Sequence, residues 1–501
     1  MATPNAADIY ALLTVEEMYQ ADAMAEAAGV GAEALMEAAG TGIAREIGRR
    51  WRKTPTVILC GPGNNGGDGF VVARLLAEAG WEEVRVALLG EREALKGEAA
   101  LNASRWQGAV ERLAPEALDG AGLVVDALFG AGLGRPLDGV SCAVVEEIGA
   151  RRLDCVAVDI PSGVHGDTGQ VLGAAAPARL TVTFFRRKPG HLLLPGRELV
   201  GEVAVVDIGT PPDALGEIGP TIHENNPVLW LERYRWPKLS DHKYARGHAV
   251  VVGGPRMTGA ARLAARAALR IGAGLVTIAG PPEALPIYAA YMAGVLTEAI
   301  PDTAAFTRLL RDERKNAILI GPGNGVGETT RKNVLAALAV GRAVVLDADA
   351  LTSFEEEPAK LFGALKGPCV MTPHEGEFHR VFKDQVPAEA DKLTRARAAA
   401  KLTGKVLLLK GGDTVIAAPD GRAVINANAP AELSTAGSGD VLSGLLVGLL
   451  AQGMRPFDAA CAAAWIHGAA AARFGPGLIS EDLSEQVPAV LHRLKGASAL
   501  T

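Results

Sequence analysis

The 501-residue chain has few cysteines, no long apolar run and no excess of positive charge. Its five cysteines (Cys60, Cys142, Cys155, Cys369 and Cys461) are scattered, with no CxxC pair and no zinc-like spacing. That pattern excludes a disulfide framework and predicts buried, reduced thiols. No apolar stretch reaches the roughly 18 residues of a membrane-spanning helix. The N-terminal segment is acidic and lacks the basic-then-apolar order of a secretion signal, so a cytoplasmic protein is expected. A formal net charge of −7 supplies no attraction to nucleic acid or to an anionic membrane. Low-complexity tracts and short-period repeats are absent too. What is present is 49% hydrophobic and 21% charged residues with 60 glycines, the composition of globular material with a large core and many tight turns. The length suits about three average domains or two larger ones.

Short β-branched runs alternate with alanine- and leucine-rich helical stretches, which predicts parallel sheets covered by helices. In the first half strands are predicted at 56–60, 84–89, 123–128, 155–160, 180–185 and 203–208. Nearly all run into glycine-bearing loops, where ligands bind in open α/β sheets. Two helices, at about 14–28 and 31–50, precede the first strand, and Thr14 with Glu17 forms a potential capping box. Between 210 and 240 periodicity is lost among prolines, glycines and aromatics, which places a boundary near 212–230 and domains at about 1–220 and 225–501. A second series of strands is predicted at 249–252, 275–279, 318–320, 343–346, 369–372 and 406–409. A hairpin follows at 414–425 with Asp420-Gly421 as its turn. Apolar residues at 441, 442, 445, 446, 449 and 450 then fit one face of a helix over 439–452.

Gly437-Ser438-Gly439-Asp440 opens that helix. Its glycines let the backbone approach a ligand, and the helix start offers unpaired N–H groups to an anion. An aspartate there would repel a phosphate, but it suits a general base that takes a proton from a hydroxyl attacking phosphorus. The alternative is an N-capping aspartate. Lys410-Gly-Gly-Asp-Thr414, after a strand, offers glycine backbone, an ammonium and a hydroxyl for a nucleotide. These residues resemble the ribokinase-like superfamily. With Val251-Val-Gly-Gly254, Thr258-Gly-Ala260, Gly321-Pro-Gly323, Leu346-Asp-Ala-Asp-Ala-Leu351 and Thr372-Pro-His374 in one order, residues 235–495 are similar to the ADP/ATP-dependent NAD(P)H-hydrate dehydratases. The resemblance implies nucleotide contacts at Lys410, Gly411, Gly412, Asp413, Thr414 and Gly439. It further implies substrate contacts at Ala260, Gly323, His374 and Asp440, with Asp440 the base, ADP the phosphoryl donor and Mg²⁺ accompanying the nucleotide. Two positions depart from the family pattern. Glu375 stands where proline often follows the histidine, and Asn324 where a hydrophobic residue often follows Gly-Pro-Gly.

In the first half, Gly61-Pro-Gly-Asn-Asn-Gly-Gly-Asp-Gly69 links a strand to a helix without matching a dinucleotide fingerprint or a Walker loop. Its backbone N–H groups suit a phosphate, while Asn64, Asn65 and Asp68 add oxygen atoms; a packing turn is the bland alternative. Asp126 and Asp159 end two further strands. Asn65, Asp126 and Ser162 are hard oxygen donors suited to an alkali or alkaline-earth ion, and Asp159 suits acid–base work. Together with Val125-Asp-Ala-Leu-Phe-Gly130, Asp159-Ile-Pro-Ser-Gly163 and Lys188-Pro-Gly190, these motifs resemble the NAD(P)H-hydrate epimerases over residues 10–215. The resemblance implies K⁺ at Asn65, Asp126 and Ser162. It places substrate at Asn64, Asn65, Gly66, Gly67 and Asp68, at Gly130, Ala131, Gly132, Leu133, Gly134, Arg135 and Pro136, and at Asp159, with Asp159 moving the proton.

The expectation is a two-domain α/β enzyme, with an N-terminal Rossmann-like α/β/α layer structure and a C-terminal ribokinase-like α/β domain. It would epimerise R and S hydrates of NADH and NADPH and dehydrate the S form with ADP, giving AMP and phosphate. The rivals are a ribokinase-like small-molecule kinase with an accessory nucleotide-binding domain, and an N-terminal half that only binds or scaffolds. Alanine-rich helices allow for a homo-oligomer.

Overall fold

The computed structural model describes residues 6–81 and 83–498, and the chain divides into two compact units, Met1–His223 and Glu224–Thr501. In the first unit, helix α1 (Val15–Ala27) begins at the expected capping box. Glu17 N donates to Thr14 Oγ1 (3.2 Å), and Thr14 N donates to the Glu17 carboxylate (2.8 Å). Helix α2 (Ala32–Arg50) follows. The strands are β1 (Thr56–Cys60), β2 (Val84–Leu88), β3 (Val110–Arg112), β4 (Leu123–Ala127), β5 (Cys155–Val158), β6 (Leu180–Phe184) and β7 (Glu202–Val206). They form one seven-stranded parallel sheet in the order β3-β2-β1-β4-β5-β6-β7.

Alternation along a strand sends successive side chains to opposite faces. Ile58 and Cys60 enter one core with Phe70, Val86 and Val125, while Val57 and Leu59 enter the other with Val124, Val144 and Cys155. Helices cover both faces, which is why these strands read as continuous apolar runs. Strands expected to reach residues 160 and 185 stop at Val158 and Phe184, because Asp159 (φ 67°) and Phe185 (φ 56°) turn into the left-handed region. Strand order reverses between β1 and β4, which opens a crevice beyond their C-terminal ends.

The second unit contains β8 (His248–Val252), helix α3 (Thr258–Arg270), β9 (Leu275–Gly280), β10 (Leu296–Ala299), β11 (Ala317–Ile320), β12 (Ala343–Leu346), β13 (Cys369–Met371), helix α4 (Glu375–Phe382), β14 (Val406–Leu409), β15 (Thr414–Ala417) and β16 (Ala423–Asn426). Helices α5 (Ser438–Ala451), α6 (Pro456–Phe474) and α7 (Ser480–Ser498) end it. Within this unit the sheet order is β16-β15-β14-β13-β12-β11-β8-β9-β10, with the last two pairings at the β16 edge antiparallel and the others parallel. The hairpin turns through Asp420-Gly421, where Gly421 takes φ 96°.

The one-faced burial expected of α5 is wrong. Val441 to Ala451 are all buried, because the helix runs between the sheet and neighbouring helices. Close approach to α3 depends on missing side chains: a Cβ at Gly444 would lie 2.3 Å from the Ala264 carbonyl oxygen. The cysteines are all free, four buried and Cys142 partly exposed. No helix among the described residues is long and apolar enough to cross a membrane.

Candidate active sites

In the first unit a cavity of about 710 Å³ occupies the crevice at the β1/β4 reversal. The loop after β1 and the start of the following helix (Asn64–Glu78) bring Gly63, Asn64, Asn65 and Asp68 to its wall. The loop after β4 brings Gly130, Ala131, Gly132, Leu133, Gly134 and Arg135, and Asp159 and Lys188 complete the sheet-end wall. Gly66, Gly67 and Pro136, expected at the substrate, do not line the cavity. Gly66 and Gly67 are closely packed: a Cβ on Gly66 would lie 1.9 Å from the Gly61 carbonyl oxygen, and one on Gly67 would lie 2.6 Å from Met36 Sδ.

Asp159 is bound from three sides. Lys188 Nζ (2.5 Å) and Thr183 Oγ1 (2.9 Å) donate to Oδ1, and Ala131 N donates to Oδ2 (3.0 Å). Burial pushes its pKa up, but the Lys188 ammonium and these hydrogen bonds outweigh burial and hold it at about 2. His191 accepts at Nδ1 from Lys188 N, so Nε2 carries the proton and donates to the Asp159 carbonyl (2.8 Å). Burial and the neighbouring cations push its pKa down to about 4, leaving it neutral. Asp68 is raised well above the ordinary carboxylate range, by burial and then by Asp159 and Asp22.

Asp126 and Ser162 are buried rather than exposed to the cavity. Ser162 donates from Oγ to Asp126 Oδ1 (2.6 Å) and from N to Oδ2 (2.8 Å), and Phe129 N donates to Ser162 Oγ (2.9 Å). Asn65 Nδ2 is buried without a partner. That nitrogen is a donor and cannot ligate a cation; the oxygens of Asn65, Asp126 and Ser162 are of the hard type that an alkali ion takes.

In the second unit the sheet reverses between β8 and β11. The loops after these strands meet so closely that a Cβ on Gly254 would lie 1.6 Å from the Gly323 carbonyl oxygen. Asn324 ties them together, accepting from Gly321 N (2.8 Å) and donating to the Val252 carbonyl (2.8 Å). A hydrophobic residue at this position could do neither. Ala260 is buried in the first turn of α3.

Gly437, in the left-handed conformation (φ 85°), delivers the chain into α5, so that Ser438, Gly439 and Asp440 form its first turn. Asp440 is half-buried, and its pKa is raised to about 6 by burial and then by Asp347, against the lowering effect of Lys410. Beneath it lies a network that the sequence reading missed. Asp347 accepts from Lys410 Nζ (2.7 Å), Ser443 Oγ (2.7 Å) and Ala348 N (2.9 Å).

The stretch from Lys410 to Thr414 is partly self-occupied. Lys410 Nζ is paired with Asp347, with Glu377 at 3.8 Å. Lys392, also unanticipated, binds Asp413 (2.6 Å), and its Nζ would lie 2.2 Å from a Cβ on Gly411. Thr414 Oγ1 donates to the Gly411 carbonyl (2.8 Å) and accepts from Gly411 N (3.2 Å). Gly412 is exposed, and a Cβ on Gly439 would lie 3.7 Å from Lys410 Nζ. His374 caps α4, accepting at Nδ1 from Gly376 N (2.9 Å) and Glu377 N (3.3 Å). Its side chain is still 52% exposed, so the capping role leaves an edge open. Glu375 pairs with Arg395 (2.7 Å).

Fold and sites define a two-unit α/β enzyme, Rossmann-like in the first half and ribokinase-like in the second. Residues 249–488 match the NAD(P)H-hydrate dehydratase family model, and residues 32–190 match that of the YjeF-related protein N-terminus. The bifunctional NAD(P)H-hydrate repair enzyme of Moorella thermoacetica is 38% identical, over 97% of both chains. That of Thermofilum pendens is 37% identical, over 94% of both. A solved structure, the ADP/ATP-dependent NAD(P)H-hydrate dehydratase from Bacillus subtilis co-crystallised with ATP and Mg²⁺, is 27% identical, with a TM-score of 0.44 over 52% of this chain and 94% of its own. The chain belongs to the bifunctional NAD(P)H-hydrate repair enzyme family.

Proposed function

We propose that the chain restores hydrated NADH and NADPH, with the first unit interconverting the R and S hydrates and the second dehydrating the S form at the expense of ADP. Water adds to the reduced nicotinamide ring at the carbon beside the ring nitrogen, and that carbon is the stereocentre. Hydroxide is a poor leaving group, and phosphorylation makes it a good one. Asp440 takes the proton of the ring hydroxyl as its oxygen attacks the terminal phosphorus of ADP and the bond to the bridging oxygen breaks, releasing AMP. The adjacent ring carbon then loses a proton, phosphate departs and the double bond returns. The N–H groups at the start of α5 receive the charge that develops on phosphate. Gly411, Gly412 and Thr414 hold the nucleotide through backbone, and Lys410 keeps Asp440 ionisable rather than contacting the nucleotide alone. Ala260, Gly323 and the exposed edge of His374 receive the hydrate.

Mg²⁺ would accompany the nucleotide and neutralise phosphate charge when bound. Asn65, Asp126 and Ser162 would hold K⁺ beneath the first site and order the loop after β4. In that site Asn64, Asp68, the loop from Gly130 to Arg135 and Asp159 surround the hydrate, with Asp159 moving a proton.

The observation carrying this reading is a half-buried carboxyl, Asp440, in the first turn of a glycine-led helix, in a chain that aligns over 97% of its length with a repair enzyme. The test is incubation of pure S hydrate with ADP. Return of dihydronicotinamide absorbance with equimolar AMP and phosphate is expected. A stable phosphorylated product without that absorbance would instead identify a kinase. With R hydrate alone, recovery should require an intact first unit, and Asp159→Asn should slow it roughly 100-fold or more.

A further inference from the structure

Epimerisation inverts one carbon, so the hydroxyl must leave from one face of the ring and return to the other. A single fixed carboxylate cannot serve both faces. The first cavity holds a second candidate on an element that lies before the matched family segment. Helix α1 enters its wall with Met18, Tyr19 and Asp22. The helix is anchored: Met18, Ala21 and Ala25 are buried, with Met18 and Ala21 packing on Phe185, Ala214 and Leu215, and Val15 N donates to Asp167 (2.8 Å). Asp22 follows Met18 by four residues and precedes Ala25 by three, so it shares their inward face. It is half-buried and makes no hydrogen bond or ion pair among the described residues. Tyr19 reaches the loop after β4, its hydroxyl 2.3 Å from where a Cβ on Gly132 would be.

We propose that Asp22 is the proton donor and Asp159 the proton acceptor of the epimerisation, working from α1 and from the sheet end on opposite faces of the hydrated ring. This rests on the epimerase reading above. The two carboxyls are shifted in opposite directions. Burial raises Asp22, helped by Asp159 and Glu26 and opposed by Lys188, whereas Lys188 keeps Asp159 ionised.

In its protonated form Asp22 gives its proton to the ring hydroxyl as the carbon–oxygen bond breaks. That electron pair leaves with water, and the ring-nitrogen lone pair forms a double bond to the carbon, leaving a ring cation between two carboxylates. Water adds from the Asp159 side, its oxygen supplying both electrons of the new bond. The added water is then a protonated hydroxyl, a stronger acid than a carboxylic acid of pKa near 2, so even the weakly basic Asp159 can take its proton. One proton has moved from Asp22 to Asp159, and no external oxidant or reductant is needed. The reverse inversion, or exchange with solvent, resets the pair.

The test follows R-to-S equilibration of purified hydrate by the full chain carrying Asp22→Asn or Asp22→Glu. For Asp22→Asn, kcat should fall about 100-fold or more while KM stays within about threefold, and Asp22→Glu should recover part of the loss. Thermal melting and dehydration of S hydrate by the same preparations report folding. Equilibration within about threefold of wild type in Asp22→Asn, or a loss confined to KM, overturns the proposal. A loss that Asp22→Glu does not relieve in a normally melting chain also overturns it, since only the shape of α1 would then matter. If wild type itself fails to equilibrate the hydrates, the epimerase reading falls and the proposal with it.

Discussion

Asp347→Asn perturbs the second site in a direction that can be worked out beforehand. To act as the proposed base Asp440 must be ionised, and its pKa of about 6 puts it near half-charged at mildly acid pH. For wild type, kcat/KM for S-hydrate dehydration should therefore rise with pH, reaching half its plateau near 6 and falling about tenfold per unit below that. The raised value comes from burial first and Asp347 second, with Lys410 opposing both. Asparagine removes the negative charge and also releases Lys410, whose ammonium now sits 2.7 Å from Asp347. Both changes favour the charged form of Asp440, so the midpoint must move down. A like-charge contact at an effective dielectric of about 20 is worth ~2 to 4 kcal/mol. Burial persists and Lys410 relocates only in part, so the expected shift is about one to two units, at about 1.4 kcal/mol each. The assay is initial-rate recovery of dihydronicotinamide absorbance under saturating ADP across the acid range, each profile normalised to its own plateau. The plateau itself should drop, because a weaker base transfers protons less readily. A midpoint that stays near 6 or moves up would refute the electrostatic account of Asp440.

Asp440→Asn should lower dehydration about 1,000-fold while ADP binding, measured by calorimetry, survives; joint loss of binding and folding would mark a helix cap. Gly444→Ala sets two effects against each other, since helix propensity favours alanine by about 1 kcal/mol. The clash with the Ala264 carbonyl should outweigh that gain, for a net loss of about 1–3 kcal/mol in denaturant unfolding. Thr14→Ala removes the capping box of α1 and should cost about 1 kcal/mol, seen as an earlier melt of the first unit.

Features governed by local chemistry were legible in the sequence. The capping box at Thr14, the turn at Asp420-Gly421 and the glycine loops after β1 and β11 all act through residues a few positions apart. Strand β3 was missed because Val110-Glu-Arg112 is short and mostly polar, and β10 for similar reasons. The strand ends at 160 and 185 were overestimated because apolar residues continue past the point where Asp159 and Phe185 turn the backbone. The deeper misses are long-range. Nothing near Asp347 announces Lys410 and Ser443, nothing near Asp413 announces Lys392, and α1 carries no local sign that Tyr19 and Asp22 face a cavity formed after β1 and β4. At Gly66 and Gly67 the sequence did not announce the close approach to Gly61 and Met36.

Helix α5 has Asp440 in the first turn and Gly444 and Gly448 one and more turns behind. Gly444 rests on Ala264, and Gly448 comes within 2.4 Å of Ile271 Cγ2 once a Cβ is added. The helix is thus registered from its middle, as a gauge block is set against a stop, and the position of Asp440 follows from that seating. A saturation-mutagenesis map of this unit should show a diagonal stripe of intolerance across positions 264, 268, 271, 444 and 448, remote from any ligand. Within the stripe, the mildest lesions should reduce turnover before they reduce yield.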